Sequence, residues 1–216
     1  MVSPGQQDAA PPDGRRARWA EHRRVRREEL VDAALEAVRL TGPSLAVDDV
    51  ARSAGVSKTV IYRYFTDKDE LIDAVLERIF GGILLPRLLG ELELGRSDAR
   101  ARLRAVITAF VRLIEEEPSL YHFAYTGRSG RADPVAAAQR EIAEALAAIM
   151  AERLRAVGRP TEPATTWAYG LVGMIQLTAH WWSATRSLPA ADLVEQLTAL
   201  AHGGLAALLP QDSARP

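Results

Sequence analysis

Lys58, Thr59, Tyr62 and Arg63 stand close together just after Ala54-Gly55-Val56-Ser57. Helical spacing puts them on an outward face, with Ile61 turned inward. These are hydrogen-bond donors and an aromatic ring, groups that can meet phosphates, base edges and thymine methyls. A helix entering the major groove of duplex DNA requires such a set. Gly55 permits the positive φ that ends one helix and starts the next at a steep angle. Val50, Ala51, Val56 and Ile61 supply the apolar surface that closes this pair against a preceding helix.

A second concentration of chemistry is cationic. The net charge is -1, yet Arg15, Arg16, Arg18, Arg23, Arg24, Arg26 and Arg27 face one nearby acid, Glu21. Such a run at a chain start is either a polyanion-binding arm or a solvated tail. Catalytic chemistry is missing. His22, His122, His180 and His202 are scattered without metal-ligand spacing, and no cysteine offers a thiolate or a disulfide. Glu115-Glu116-Glu117 before Pro118 reads as a solvated helix end. No Ser/His/Asp arrangement or phosphate-cradling loop can be assembled, so no catalytic residue, metal site or cofactor is expected.

The elements that must position these groups are helices throughout. The 216 residues are 48% hydrophobic and 25% charged, enough for one compact body with an appended module. Residues 1–14 read as disordered, and no apolar run approaches the ~18 residues of a membrane span. A cytoplasmic protein without membrane association is the expectation. Leu30, Ala34, Ala37 and Val38 mark a first helix stopped by Gly42-Pro43, and Val47, Val50 and Ala51 a second. Ser57 caps a third, and Thr66 or Asp67 a fourth that runs to Gly81-Gly82. Ser97 opens a long helix ending at Pro118. Asp133-Pro134, Glu162-Pro163 and Pro189 open three more, after a short aromatic helix at 119–126. No period-two pattern of useful length appears, and the chain reads as all-α.

The stretch from Arg24 to Val75, above all VDDVARSAGVSKTVIYRYFTDKDELIDAV, resembles the DNA-binding domain of the TetR family of transcriptional regulators. Val50, Ala51, Ala54, Gly55, Val56, Ser57, Ile61, Tyr62, Tyr64, Phe65, Lys68 and Leu71 occupy the family's pattern. The resemblance implies that Ser57, Lys58 and Thr59 begin the recognition helix, with Val60 offering an apolar contact. It further implies that Tyr62 and Tyr64 reach the DNA backbone and Lys68 pairs with a phosphate. Ile61 and Phe65 read as core. Two departures stand out: Ala46 replaces a capping threonine, and Asp48-Asp49 replace basic residues, repelling phosphate. The arginine run, including Arg23 and Arg24, is therefore expected to supply backbone or minor-groove contacts.

This reading divides the chain into a disordered basic arm (1–22), a helix-turn-helix domain (23–82, the motif at about 46–65) and a larger C-terminal regulatory domain (83–210). By resemblance the C-terminal part binds a small molecule and forms a homodimer. Phe110, Tyr121, Phe123, Tyr125 and Trp167 are the candidate ligand-binding residues, with His122, Arg112 or Gln176 as orienting groups. Gly170, Gly173, Met174, Leu177 and Trp181 on one helix, and Leu197 and Leu200 on the next, are the candidate dimer interface, a four-helix bundle. The implied function is repression from a palindromic double-stranded operator, released by a hydrophobic or aromatic effector. The alternatives are a DNA-binding activator, or a helical sensor or adaptor acting through protein partners.

Overall fold

The computed structural model describes residues 14–93, 98–126 and 133–208. All its regular elements there are helical, ten α-helices and one π-helical segment. The first, α1 (Gly14–Thr41), buries Leu30, Val31, Ala34, Leu35, Ala37 and Val38 at spacings of three and four. It ends at Gly42, φ +97°, whose N–H bonds the Val38 carbonyl. The helix starts inside the segment 1–22 expected to be disordered, and Glu21–Arg24, Arg24–Glu28 and Arg26–Glu29 pairs lace its middle. Residues 1–13 of the expected arm lie outside the described residues.

Helix α2 (Val47–Ser53) faces inward through Val47, Val50 and Ala51. Ala46 takes the cap position in extended backbone without a side-chain bond; Asp48 and Asp49 in the first turn offset this through the helix dipole. The turn after it is a complete Schellman closure. Gly55, φ +64°, donates to the Arg52 carbonyl and Val56 to that of Ala51. Helix α3 (Lys58–Tyr62) follows at once. Ser57 occupies its cap position but makes no capping bond, contrary to expectation. Backbone bonds from Val60 and Ile61 to the Ser57 carbonyl start the helix instead.

Helix α4 (Lys68–Glu77) is capped by Asp67, which accepts the Glu70 N–H at 2.8 Å. It does not stop at Gly81-Gly82. A π-helical turn (Arg78–Leu84) carries the chain directly into α5 (Leu85–Glu93). Burial of Ile79, Phe80, Leu84, Leu85 and Leu88 outweighs the ~1 kcal/mol that each glycine costs a helix. The expected domain boundary after residue 82 thus falls inside one rod.

The remaining helices are α6 (Ala99–Glu116), α7 (Pro118–Thr126), α8 (Pro134–Ala156), α9 (Pro163–Thr185) and α10 (Ala190–Leu208). Asp98 caps α6 through the Arg100 and Ala101 N–H groups; Ser97, the expected cap, lies outside the described residues. Asp133 and Pro134 open α8, and Pro163 opens α9, as their spacing predicts. The α8–α9 pair is the most extensive packing in the C-terminal part, followed by α6 with α10. One hydrophobic core runs from α1 through α4 into α6, α7 and α10, and a smaller one sits between α8 and α9. Among the described residues no helix is long and apolar enough to cross a membrane.

Candidate nucleic-acid interface and effector cavity

The short α3 is held from beneath by Ile61 and Phe65, each 1% exposed. Arg27 of α1 lies over the Phe65 ring at 4.6 Å and also reaches Glu70 at 3.2 Å. The Glu70 carboxylate in turn accepts the Thr66 N–H, while Asp67 accepts the Glu70 N–H, a box displaced by one residue at the start of α4. That bond, with help from the Thr66 hydroxyl and Arg27, holds the Glu70 carboxyl below the usual carboxylate range. The turn between α3 and α4 is therefore fixed by charge as well as by packing.

This platform leaves Ser57, Lys58, Thr59, Tyr62, Arg63 and Lys68 exposed on one module, with Val60 half-buried. Tyr64 is also half-buried, its ring packed against the core. Lys58 is not free. Its ammonium meets the Asp48 carboxylate of α2 at 2.7 Å, a hydrogen bond that raises the lysine pKa. The arginine run is likewise less available than a count suggests. Arg24 is gripped by Glu21 and Glu28 at 2.6 and 2.5 Å, and Arg26 by Glu29 at 2.5 Å. Arg23 donates to the Arg63 carbonyl, tying α1 to the end of α3. Within the run expected at DNA, Arg24 is held by its own helix and Arg23 sits beside the end of α3.

A cavity opens between α5, α6, α7, α8, α9 and the π-helical turn, lined by residues such as Phe80, Leu88, Val106, Phe110, Tyr121 and Ile142. Its polar groups are Tyr121, Tyr125, Gln139, Gln176 and Glu117. Gln139 donates to Gln176, whose amide donates to the Tyr125 hydroxyl. Tyr121 and Tyr125 stack at 4.7 Å, and His180 packs on Tyr125 at the same separation. Burial pushes both phenols up, so they remain neutral donors. Phe110, Tyr121 and Tyr125 thus come together as expected.

Phe123 and Trp167 do not line this cavity. Phe123 lies two residues from Tyr121, which on a helix turns it to the opposite side, and it is 1% exposed in the core. Trp167 packs in the separate α8–α9 cluster. Of the proposed orienting groups only Gln176 lines the cavity; His122 bonds the Pro118 carbonyl and Arg112 is exposed. Gln139 is among the cavity residues that sequence reasoning missed, because only the packing of α8 on α9 brings it to Gln176. Glu117, read as a solvated end, also lines the cavity and binds Arg39 of α1.

The residues 92–215 match the family model for the tetracyclin repressor-like C-terminal domain, and residues 30–75 match that of the bacterial regulatory proteins of the tetR family. The chain belongs to the TetR family. An uncharacterized HTH-type transcriptional regulator of Mycobacterium tuberculosis is 35% identical over 91% of this chain and 84% of its own. The HTH-type transcriptional activator FasR of Mycolicibacterium smegmatis is 31% identical over 83% of each chain. Among solved structures, FadR of Bacillus subtilis, in complex with stearoyl-CoA, superposes with a TM-score of 0.60 at 19% identity, covering 82% of this chain and 98% of its own. This TetR-family chain is a DNA-binding transcriptional regulator and not an enzyme.

The TetR-type C-terminal part carries an uncovered apolar face. On α9 Leu177 is 73% exposed and Trp181 48%, in line with exposed Gly170 and Gly173 with open space above them, and on α10 Leu200 is 62% exposed. Met174 is half-buried on the same helix. Leu197 does not join them. With Leu193 and Ala201 it faces the chain's own core and is 3% exposed, so, contrary to expectation, it is no part of that exposed face.

Proposed function

We propose that this chain is an effector-responsive repressor that binds a palindromic operator as a homodimer and leaves it when a small hydrophobic molecule enters the cavity. On this reading residues 23–82 read DNA, and residues 83–210 bind the effector and the second subunit. Ser57, Lys58, Thr59, Val60, Tyr62 and Lys68 meet the duplex, and Leu177, Trp181 and Leu200 meet the partner copy. The proposal places the chain in the cytoplasm with its operator.

The observation that carries the reading is Glu117, which belongs to the cavity wall and grips Arg39 at the end of α1. The cavity offers about 100 Å³, whereas pockets for drug-sized ligands run to ~300–1,000 Å³. A ligand of that size must spread the surrounding helices, so occupancy and a change of shape are one event. The stearoyl-CoA bound by FadR supports a long acyl chain as the ligand class. The aliphatic wall suits such a chain, and Tyr125, Gln139 and Gln176 offer neutral hydrogen bonds to a carbonyl.

The test is fluorescence polarisation on a duplex selected from a random pool, titrated with stearoyl-CoA and shorter homologues. Release of the duplex is expected; DNA affinity indifferent to every apolar ligand would refute the release step. Activation is the second reading, favoured by the name of FasR. Transcription from a promoter carrying the selected site, with and without the chain, separates the two. An adaptor acting through protein partners predicts no salt-sensitive duplex binding.

A further inference from the structure

The acid at position 48 lies where a DNA-reading module would be expected to avoid one. Asp48 is in the first turn of α2 and its carboxylate stands 2.7 Å from the ammonium of Lys58, the first residue of α3. Both side chains are more than half exposed, 62% and 53%, so the pair lies on the open face and not in the core. The neighbouring Asp49 is occupied by Arg52 at 2.9 Å. Lys68, by contrast, has no carboxylate within ion-pair distance among the described residues.

We propose that Asp48 is a specificity-determining residue, which converts Lys58 from a phosphate binder into a reader of base edges. This rests on the placement of α3 in the major groove. A free lysine ammonium is a point charge with three donors, and it settles on the nearest phosphate whatever the sequence. Asp48 takes one donor, neutralises the charge and adds a carboxylate that phosphates avoid. Two N–H groups remain, in a direction set by the carboxylate, and their best partners are neutral acceptors such as guanine O6 and N7. On a wrong sequence those donors find nothing and the carboxylate still faces the phosphates. The pair therefore lowers affinity for random DNA more than for the selected site, and specificity is the difference.

The test uses the full chain and two probes, the duplex enriched from a random pool and a mixed-sequence duplex, over a range of salt. Asp48→Asn is expected to tighten mixed-sequence binding several-fold and to steepen its salt dependence by about 0.9 per subunit. It also broadens base preference in a fresh selection. Lys58→Ala leaves the mixed-sequence slope unaltered in the wild-type background but reduces it in the Asp48→Asn background. Asp49→Asn makes the same charge change one residue away and leaves base preference alone, which separates the effect from a weakened α2. For Asp48→Asn, equal tightening or equal weakening on both duplexes, or an unaltered mixed-sequence slope, overturns the proposal. If Lys58→Ala and Lys68→Ala both bind like wild type, the docking of α3 is wrong and not merely the role of Asp48.

Discussion

The Arg39 guanidinium lies two-pronged on the Glu117 carboxylate, Nε to Oε2 at 2.9 Å and Nη2 to Oε1 at 2.8 Å. Arg39 is in the last turn of α1, and Glu117 is the non-helical residue between α6 and α7. One side chain therefore bridges the DNA-reading module and the cavity. The pair is partly exposed, which keeps its contribution to stability at roughly 0–1 kcal/mol. Glu117→Gln should leave the unfolding midpoint nearly unaltered. In polarisation titrations it should reduce effector-driven release of DNA at least several-fold. A release curve identical to wild type would remove the pair from the coupling.

The apolar face of α9 and α10 predicts a split between association and folding. Leu177→Arg combined with Leu200→Arg should yield folded monomers in sedimentation velocity, because both side chains stand in solvent in the single chain. Leu197→Ala should instead destabilise the chain by ~2–5 kcal/mol, the cost of emptying a buried leucine site. Its association should be unchanged once folded. Dimers surviving the double arginine change would place the interface elsewhere.

Glu70 gives a pH dependence with a definite sign. Its folded carboxyl lies below the ordinary range, held there first by the Thr66 N–H, then by the Thr66 hydroxyl and Arg27. The unfolded chain therefore takes up the proton first as pH falls. The contribution is complete above the unfolded glutamate value of ~4.3 and disappears as pH drops through the depressed folded value. Denaturant midpoints of wild type and Glu70→Gln should differ by a constant amount above about pH 5.5 and converge in acid. A gap that widens toward acid would contradict the box.

Thr198 predicts a stabilising substitution. It is fully buried between α10 and its neighbours, and its hydroxyl has no hydrogen-bond partner among the described residues. An unsatisfied buried hydroxyl costs ~1–3 kcal/mol, and valine has nearly the same shape. Thr198→Val should raise the thermal midpoint or leave it unaltered, as calorimetry would show. A clear loss would reveal a bond to the hydroxyl.

Features decided within one turn of chain were readable in advance. Gly55 is one, because the Schellman closure is set by backbone bonds of Ala51, Arg52 and Val56 alone. The Asp133-Pro134 helix start is another. The inward seat of Ile61 and Phe65 also followed from spacing. Other features depended on distant partners. Gly81-Gly82 looks like a stop until the burial of Phe80 and Leu84 is known. Gln139 acquires meaning only beside Gln176, and Glu117 only beside Arg39. The charge of the arginine run also depends on its neighbours. Glu28 and Glu29 follow the run directly and pair with Arg24 and Arg26 at helical spacing.

The uninterrupted passage of α4 through the π-helical turn into α5 has a mechanical consequence. Lys68 stands at one end of a strut whose other half, from Ile79 to Leu92, forms a wall of the cavity. At 1.5 Å per residue the lysine is roughly 16 Å from Ile79 along the axis. A pivot of about 10° there carries it nearly 3 Å sideways, about the length of one hydrogen bond. On the proposed function, a guest that only slightly swells the C-terminal half would carry Lys68 off the phosphate assigned to it, with no refolding anywhere between.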